Sequence, residues 1–323
     1  MKVFVTARLP GDVMAKIEQE HSIEAHCEDR PIGRDELLAG MKGKEGLLCT
    51  ITDRIDQEIL DHAPGLRAIA NNGVGFDHID IEAATRRGIP VSNTPGVLTD
   101  STADLTFALI LAVARRVVEG DKLTRSGKFK FWAPFYFLGQ DVSGKTLGIV
   151  GFGRIGRAVA KRAGGFDMKV LYYSRNPPQK DEDKRLGVCH TPLDALLKES
   201  DFVSLHVPLR PETRHLISKR ELSLMKSSAC LINTARGPIV DEKSLVEALR
   251  QGQIGAAGLD VYENEPELSP GLTELDNVVL MPHSGSATIE TRTRMSVMAA
   301  DNLLAALRGQ RPPNCLNWDA LGR

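Results

Sequence analysis

The stretch TLGIVGFGRIGRAVAKRAGGF, residues 146–166, decides the fold. Gly151, Gly153 and Gly156 stand in GxGxxG spacing, a pattern that occurs in many loops and means little alone. Its setting gives it weight. An apolar strand, Thr146 to Val150, leads in. A helix with Ile155, Val159 and Ala160 on its apolar side leads out, and a second strand follows over 169–174. This is a βαβ unit, and in that context the three glycines have separate uses: a tight turn, close approach of the backbone to a pyrophosphate, and close helix–strand packing. The helix N-terminus offers unpaired N–H groups and the positive end of its dipole to the phosphates. The alternative is a glycine-rich turn with no ligand.

The following strand runs into VLYYSRNP, residues 170–177. An Asp or Glu is expected near Ser174 in such a unit, where it would accept hydrogen bonds from an adenine-ribose 2′-hydroxyl and repel a 2′-phosphate. Ser174 and Arg175 do the reverse. A guanidinium pairs with a phosphate as a charged fork, and a small hydroxyl leaves room and donates a hydrogen bond. The stretch therefore favours NADP(H), with NAD(H) possible. The plainer alternative is a solvated arginine at a strand end.

Outward from this unit, short apolar runs alternate with amphipathic helical stretches, the pattern of a parallel α/β protein. Strands are expected near 2–6, 46–51, 67–71 and 89–92, then near 202–207, 229–233, 255–261 and 278–281. TDSTADLTFALILAVARRVVEGDKL, 99–123, predicts one long helix, with Ser101 and Asp104 spaced as a capping box and Leu105, Leu109, Ala112, Val113 and Val117 on one face. FKFWAPFYFLG, 129–139, is aromatic-rich. It is either local core or an arm that packs on a second subunit, since aromatic side chains are enriched in interface cores. TIETRTRMSVMAADNLLAALRGQ, 288–310, is helical, and the tail after it could return to the first domain.

The bulk numbers exclude several classes. The 323 residues suit two domains, and 42% hydrophobic with 26% charged residues suits a globular core. A net charge of −1 leaves no footprint for nucleic acid or an anionic membrane. No apolar run approaches the roughly 20 residues that span a bilayer. MKVFVTARLP reads as a strand and turn, not a signal peptide. The five cysteines form no CxxC pair, and Cys49 and Cys230 sit in apolar runs, which suggests buried thiols in a reducing cytoplasm and no metal site.

Ligands of an open parallel sheet bind outside the carboxyl ends of its strands. FVSLHVP ends at His206, Val207 and Pro208; ACLINTARG ends at Thr234, Ala235 and Arg236. GAAGLDVYENEP ends at Asp260 with Glu265 just beyond, and VVLMPHSGSAT ends at His283. Each has a bland alternative: a surface charge, a strand-end cap, a turn residue or a loop acid. Together, beside a nicotinamide site, they fit hydride transfer to a 2-keto acid. That chemistry needs a cation for the carboxylate, a proton donor for the carbonyl oxygen, and an acid to keep the donor protonated.

These segments, with VGFGRIGRAVA and NTARGPIVDEKSLVEAL and with NNGVGFDHIDIEAATRRGIPVSNTPG (71–96), resemble the signature segments of the D-isomer-specific 2-hydroxyacid dehydrogenases over about residues 45–300. The SRN strand end and the DSTADLTFALILAVARR helix look most like glyoxylate/hydroxypyruvate reductases. The resemblance implies two Rossmann-like α/β domains with parallel sheets and an active-site cleft between them that closes on binding. Residues 1–98 with 287–323 would form a flavodoxin-like substrate-binding domain, and 99–286 the dinucleotide-binding domain. No room is expected past His283 for an appended regulatory domain.

The resemblance also implies roles. Arg236 would bind the substrate carboxylate and help polarise the carbonyl. His283 would be the general acid in reduction, and Glu265 would hydrogen-bond its imidazole and keep it charged. Val74 and Gly75 would offer backbone N–H groups to the carboxylate. Asp260 would contact the nicotinamide carboxamide. Phe152, Gly153, Arg154 and Ile155 would cradle the pyrophosphate with Gly151 and Gly156, and Ser174, Arg175 and Asn176 would take the adenosine phosphate. Thr102, Val207, Pro208, Thr234, Ala235 and Gly285 would line the cofactor, with Arg236 and His283 beside it. The expected activity is NADPH-preferring reduction of glyoxylate and hydroxypyruvate by a homodimer. Alternatives are another family activity on D-lactate, phosphoglycerate, phosphite or formate, or a dinucleotide-sensing protein like the family's corepressors.

Overall fold

The structure, a computed structural model, describes residues 1–175 and 186–322. Its contacts divide the chain into two compact units, Met1–Leu98 with Ala287–Arg323, and Thr99–Ser286.

The first unit holds a five-stranded parallel sheet in the order β2-β1-β3-β4-β5. Its strands are β1 (Lys2–Val5), β2 (Ser22–Ala25), β3 (Gly46–Cys49), β4 (Ala68–Asn71) and β5 (Val91–Ser92). Side chains alternate across the central strands, as a sheet covered on both faces requires. Phe4, Leu47 and Ile69 enter one buried cluster; Val3, Val5, Leu48 and Ala70 enter the other. The second cluster is closed by a helix over Ile289–Leu307, through Ala299, Ala300, Leu303, Leu304 and Leu307. The Thr288 side chain caps that helix by accepting from the Thr291 N–H at 3.1 Å, a contact of about 1 kcal/mol. The tail then returns to β5: the Leu316 N–H donates to the Val91 carbonyl, and the Asn317 Oδ1 accepts from the Val91 N–H.

The second unit holds a seven-stranded parallel sheet in the order β12-β11-β10-β9-β6-β7-β8. The strands are β6 (Thr146–Val150), β7 (Lys169–Tyr173), β8 (Val188–His190), β9 (Phe202–Leu205), β10 (Cys230–Asn233), β11 (Ala256–Leu259) and β12 (Val278–Leu280). Strand order reverses between β6 and β9, so the crevice outside their carboxyl ends is the topological switch point. One face is covered by helices at Thr99–Ala114 and Arg154–Ala163; the other is packed by the Leu193–Glu199, Lys219–Leu224 and Glu242–Arg250 helices. Both Cys49 and Cys230 are buried. Among the described residues no helix is long and apolar enough to cross a membrane.

The structure corrects the expected long helix. It stops at Ala114, and a second helix starts at Val117 after Arg116 adopts φ 53°. Arg116 is held there by Glu119 and stacks over the Phe137 ring at 4.2 Å. Val117 therefore leaves the buried face and is 54% exposed. The capping box is also absent, because the helix already begins at Thr99 and both of its supposed members lie inside it. Asp104 instead accepts from Arg162 Nε at 2.6 Å. The arm at 129–139 forms no helix or strand, and Phe131, Trp132 and Phe135 stand 61%, 78% and 88% exposed, so it is not core of its own unit.

Candidate active site

The glycine loop crosses the switch point between β6 and the helix at Arg154–Ala163. Gly151 has φ 98°, and a Cβ there would lie 2.6 Å from the His206 carbonyl carbon, so only glycine lets β6 end against β9. At Gly156 a Cβ would meet the Gly151 carbonyl oxygen at 2.3 Å, so this residue sets the close packing of helix on loop. Gly153 precedes the helix and has nothing within 4 Å of a Cβ, leaving its backbone face open. Turn, packing and open approach are the three demands that a pyrophosphate makes on such a loop, and the residues fit a dinucleotide. The Phe152 side chain takes no part in that face: it is buried and stacks on Tyr172 with centroids 4.1 Å apart. Arg154 is exposed and Ile155 half-buried.

At the end of β7, Ser174 is half-buried and its carbonyl lies 3.4 Å from His190 Nε2, while Arg175 is exposed. Asn176 lies outside the described residues.

His206 and His283, each just past the end of a strand, lie in opposite environments. His206 follows β9; its Nε2 is 2.8 Å from the Ser204 hydroxyl, and burial pushes its pKa down to about 3, so it stays neutral. His283 follows β12 and faces a carboxylate: its Nδ1 is 2.7 Å from Glu265 Oε2. The carboxylate assigns the proton to Nδ1 and leaves Nε2 for a substrate. Burial would raise the Glu265 carboxyl, but the hydrogen bond and charge of His283, the Tyr262 N–H at 2.9 Å on Oε1, and the Arg236 charge together hold it below its ordinary value. The pair remains partly open, with side chains 27% and 34% exposed.

The backbone around His283 is built for this placement. His283 has φ 52°, a left-handed conformation that a non-glycine residue adopts only when its surroundings enforce it. Asp260, 1% exposed at the end of β11, supplies the enforcement. Its Oδ1 accepts from the Ser284 N–H at 2.7 Å and the Ser284 hydroxyl at 3.1 Å, and its Oδ2 from the Gly285 N–H at 2.8 Å. Burial pushes the Asp260 carboxyl above its ordinary value against the pull of those donors. Thr102 donates to the Gly285 carbonyl at 3.2 Å from the other side. Thr106 continues to Thr234 at 3.0 Å, a buried hydroxyl contact between the helix and the end of β10. Tyr262 donates to the Met281 carbonyl at 2.8 Å, tying the Glu265 loop to the approach to His283.

Arg236 follows β10 in an extended conformation. The Asn233 side chain shapes this turn, accepting from the Ala235 N–H at 3.0 Å and donating to the Arg236 carbonyl at 2.9 Å. Ala235 and Val207 pack partly buried against the core, and Pro208 is exposed. At Gly237 a Cβ would lie 1.8 Å from the Tyr262 carbonyl, so the Arg236 turn sits directly on the Glu265 loop. The structure thus brings Arg236, Asp260, Glu265 and His283 together at the carboxyl edge of one sheet.

In the first unit, Val74 and Gly75 lie in the loop after β4. Asn71 Nδ2 donates to the Gly75 carbonyl at 2.7 Å, Asn93 Nδ2 to the Val74 carbonyl at 2.8 Å, and the Thr94 N–H to the Gly73 carbonyl at 3.0 Å. The carbonyls are therefore tied back, and among the described residues the Val74 and Gly75 N–H groups have no hydrogen-bond partner. Unpaired backbone N–H groups of this kind are the donors from which anion sites are built.

Sequence reasoning missed Tyr262, Thr106, Asn71, Asn93 and the tethering contacts of Asp260. Asn71 and Asn93 had a signal, since polar residues at the ends of apolar strands need partners. The other contacts depend on which loops the fold brings side by side.

A glycine loop at the switch point of a parallel sheet, with a carboxylate-bound histidine at the carboxyl edge of the same sheet, defines a dinucleotide-dependent oxidoreductase of the Rossmann type. Residues 107–285 match the family described as D-isomer specific 2-hydroxyacid dehydrogenase, NAD binding domain, and the chain belongs to that family. It is 52% identical to a glyoxylate reductase of Thermococcus litoralis over 99% of this chain and 98% of that one. A solved protein of Thermus thermophilus superposes with a TM-score of 0.91 at 50% identity, covering 98% of this chain and 100% of that chain. An NADPH-dependent glyoxylate/hydroxypyruvate reductase of Sinorhizobium meliloti, solved with NADP and malonate, gives 0.85 at 31% identity, covering 98% and 96%.

Proposed function

We propose that this enzyme reduces glyoxylate and hydroxypyruvate to their 2-hydroxy acids, with NADPH preferred over NADH. The observation that carries the reading is the His283–Glu265 contact at 2.7 Å, which leaves Nε2 as the proton donor. The unit Thr99–Ser286 is the dinucleotide-binding domain, and the other unit binds substrate. The bound nicotinamide supplies the hydride. His283 Nε2–H protonates the carbonyl oxygen, and Glu265 compensates the imidazolium charge. Arg236 takes the substrate carboxylate and polarises the carbonyl, and the free Val74 and Gly75 N–H groups favour a carboxylate as well. Asp260 holds the His283 loop and would contact the nicotinamide carboxamide. Thr102, Val207, Pro208, Thr234, Ala235 and Gly285 line the cofactor. The relatives' names support the substrate class. The exposed thiols of Cys27 and Cys189 suit a reducing cytoplasm.

Steady-state reduction of the two keto acids with each cofactor tests the reading; turnover confined to another acid of the family, or cofactor binding without turnover, overturns it. The cofactor preference rests on Ser174 and Arg175. Arg175→Ala should raise KM for NADPH roughly tenfold while leaving that for NADH nearly unchanged, the loss of one charge-assisted contact. An unchanged KM for NADPH would reduce the stretch to a polar strand end.

The exposed aromatics Phe131, Trp132 and Phe135, with Val117 and Val118 nearby in sequence, support a homodimer through this surface. Sedimentation should show a dimer, and Trp132→Ser with Phe135→Ser should raise its dissociation constant. A fully active wild-type monomer rules the arm's role out.

A further inference from the structure

Glu242 opens the helix at Glu242–Arg250 and is 3% exposed. A first-turn acid favours the helix dipole from an exposed position just as well, so the dipole does not explain burying it. Burying a carboxylate costs free energy unless its oxygens find donors. Here both find backbone. Oε1 accepts from the Glu263 N–H at 3.3 Å and Oε2 from the Ser269 N–H at 3.1 Å. The Glu242 N–H returns a bond to Glu263 Oε2 at 3.4 Å, which makes the contact reciprocal. Glu263 Oε1 is fixed in turn by His215 Nε2 at 2.6 Å and Arg214 Nη2 at 3.1 Å. The segment held at its two ends, 263–269, carries Glu265.

We propose that Glu242 is a positioning residue: by clamping both ends of this segment it sets the Glu265 carboxylate at hydrogen-bonding distance from His283. The inference rests on the Glu265–His283 reading above. The other anchors of Glu265 are local, since the turn that carries it is closed by the Glu267 N–H on the Asn264 carbonyl at 2.9 Å. Glu265 Oε1 is tied to the Tyr262 N–H, next to the clamped Glu263, and the charged groups acting on it are His283 and Arg236. A loop released at 263 and 269 lets Glu265 drift from His283 while the glycine loop, on the far side of β9, stays in place.

The test is Glu242→Gln. The amide keeps the shape but turns one acceptor into a donor, so one of the two backbone N–H groups faces another donor. The variant should lose roughly tenfold in kcat, as expected for one buried donor left unpaired. The alkaline limit of reduction should move down by about half a pH unit, with dinucleotide Kd changed less than about twofold. Should Glu242→Gln fail to fold, Glu263→Gln, which loosens the same clamp from its outer side, should move the alkaline limit in the same direction by less. An unmoved pH profile overturns the proposal, and so does a parallel loss of kcat and dinucleotide affinity, the signature of general damage. Glu265→Gln is the control. If it leaves the profile unmoved, the pair itself was misread and the clamp falls with it; if it moves the profile and the clamp variants do not, the clamp alone is wrong.

Discussion

Arg236→Ala should lower kcat/KM for glyoxylate by about two to three orders of magnitude, the scale of removing one preorganised donor from a developing charge. Much of that loss should appear in KM, because in the proposed role the guanidinium would meet the carboxylate in the ground state as well. Part should appear in kcat, because a cation beside the carbonyl stabilises the alkoxide-like oxygen. Arg236→Lys should recover little, since an ammonium lacks the planar fork that meets a carboxylate with two bonds. Dinucleotide affinity should change far less, because the glycine loop that carries it is built from β6 and its following helix. Arg236 has a second effect. Its charge contributes to holding Glu265 ionised, so the variant should also lose some of the high-pH tolerance of reduction. Near-wild-type kinetics on glyoxylate would remove Arg236 from the carboxylate site.

What the sequence made legible follows the range of the interactions involved. The glycine loop is read from a local pattern: Gly156 packs on Gly151 within the loop, Gly151 meets the adjacent strand end at His206, and Gly153 keeps an open face. The second unit's strand ends are legible for the same reason: an apolar run followed by polar residues marks where a parallel strand leaves the core. Edge strands β2 and β8 were not legible, since SIEA and VCH are short and mostly exposed. The break after Ala114 was hidden because apolar residues continue through Val117 and Val118. The contacts of Arg116 with Glu119, Phe137 and the Leu138 carbonyl, and the Gln140 N–H on the Ala114 carbonyl, show why the backbone turns there. The candidate acid–base pair could be named from its segments. The carboxylates that hold its loops could not. Asp260 binds the backbone at 284–285, and Glu242 binds it at 263 and 269. A bond to an N–H group leaves no trace in the partner's side chain, so such tethers stay silent until loops are placed side by side.

His283→Ala should lower kcat by about two to four orders of magnitude, the usual contribution of a general acid, with dinucleotide binding retained. The pH profile separates the two members of the pair. With His283 as the proposed proton donor, reduction should fall as pH rises. The structure holds Glu265 below its ordinary value, against its burial, chiefly through the hydrogen bond and charge of His283, and places its carboxylate charge 2.7 Å from Nδ1. Glu265→Gln removes that charge and leaves a hydrogen-bonding group of the same shape. The alkaline limit of reduction should therefore move to lower pH by about one unit or more, the effect expected of an opposite charge at contact distance. Oxidation of the 2-hydroxy acid, which needs the neutral imidazole, should become possible at lower pH by the same displacement. Initial rates in both directions between pH 5 and 10, at saturating cofactor, measure it. Displacement in opposite senses, or none in either direction, would separate Glu265 from proton transfer and leave it only the hydrogen bond that orients the ring.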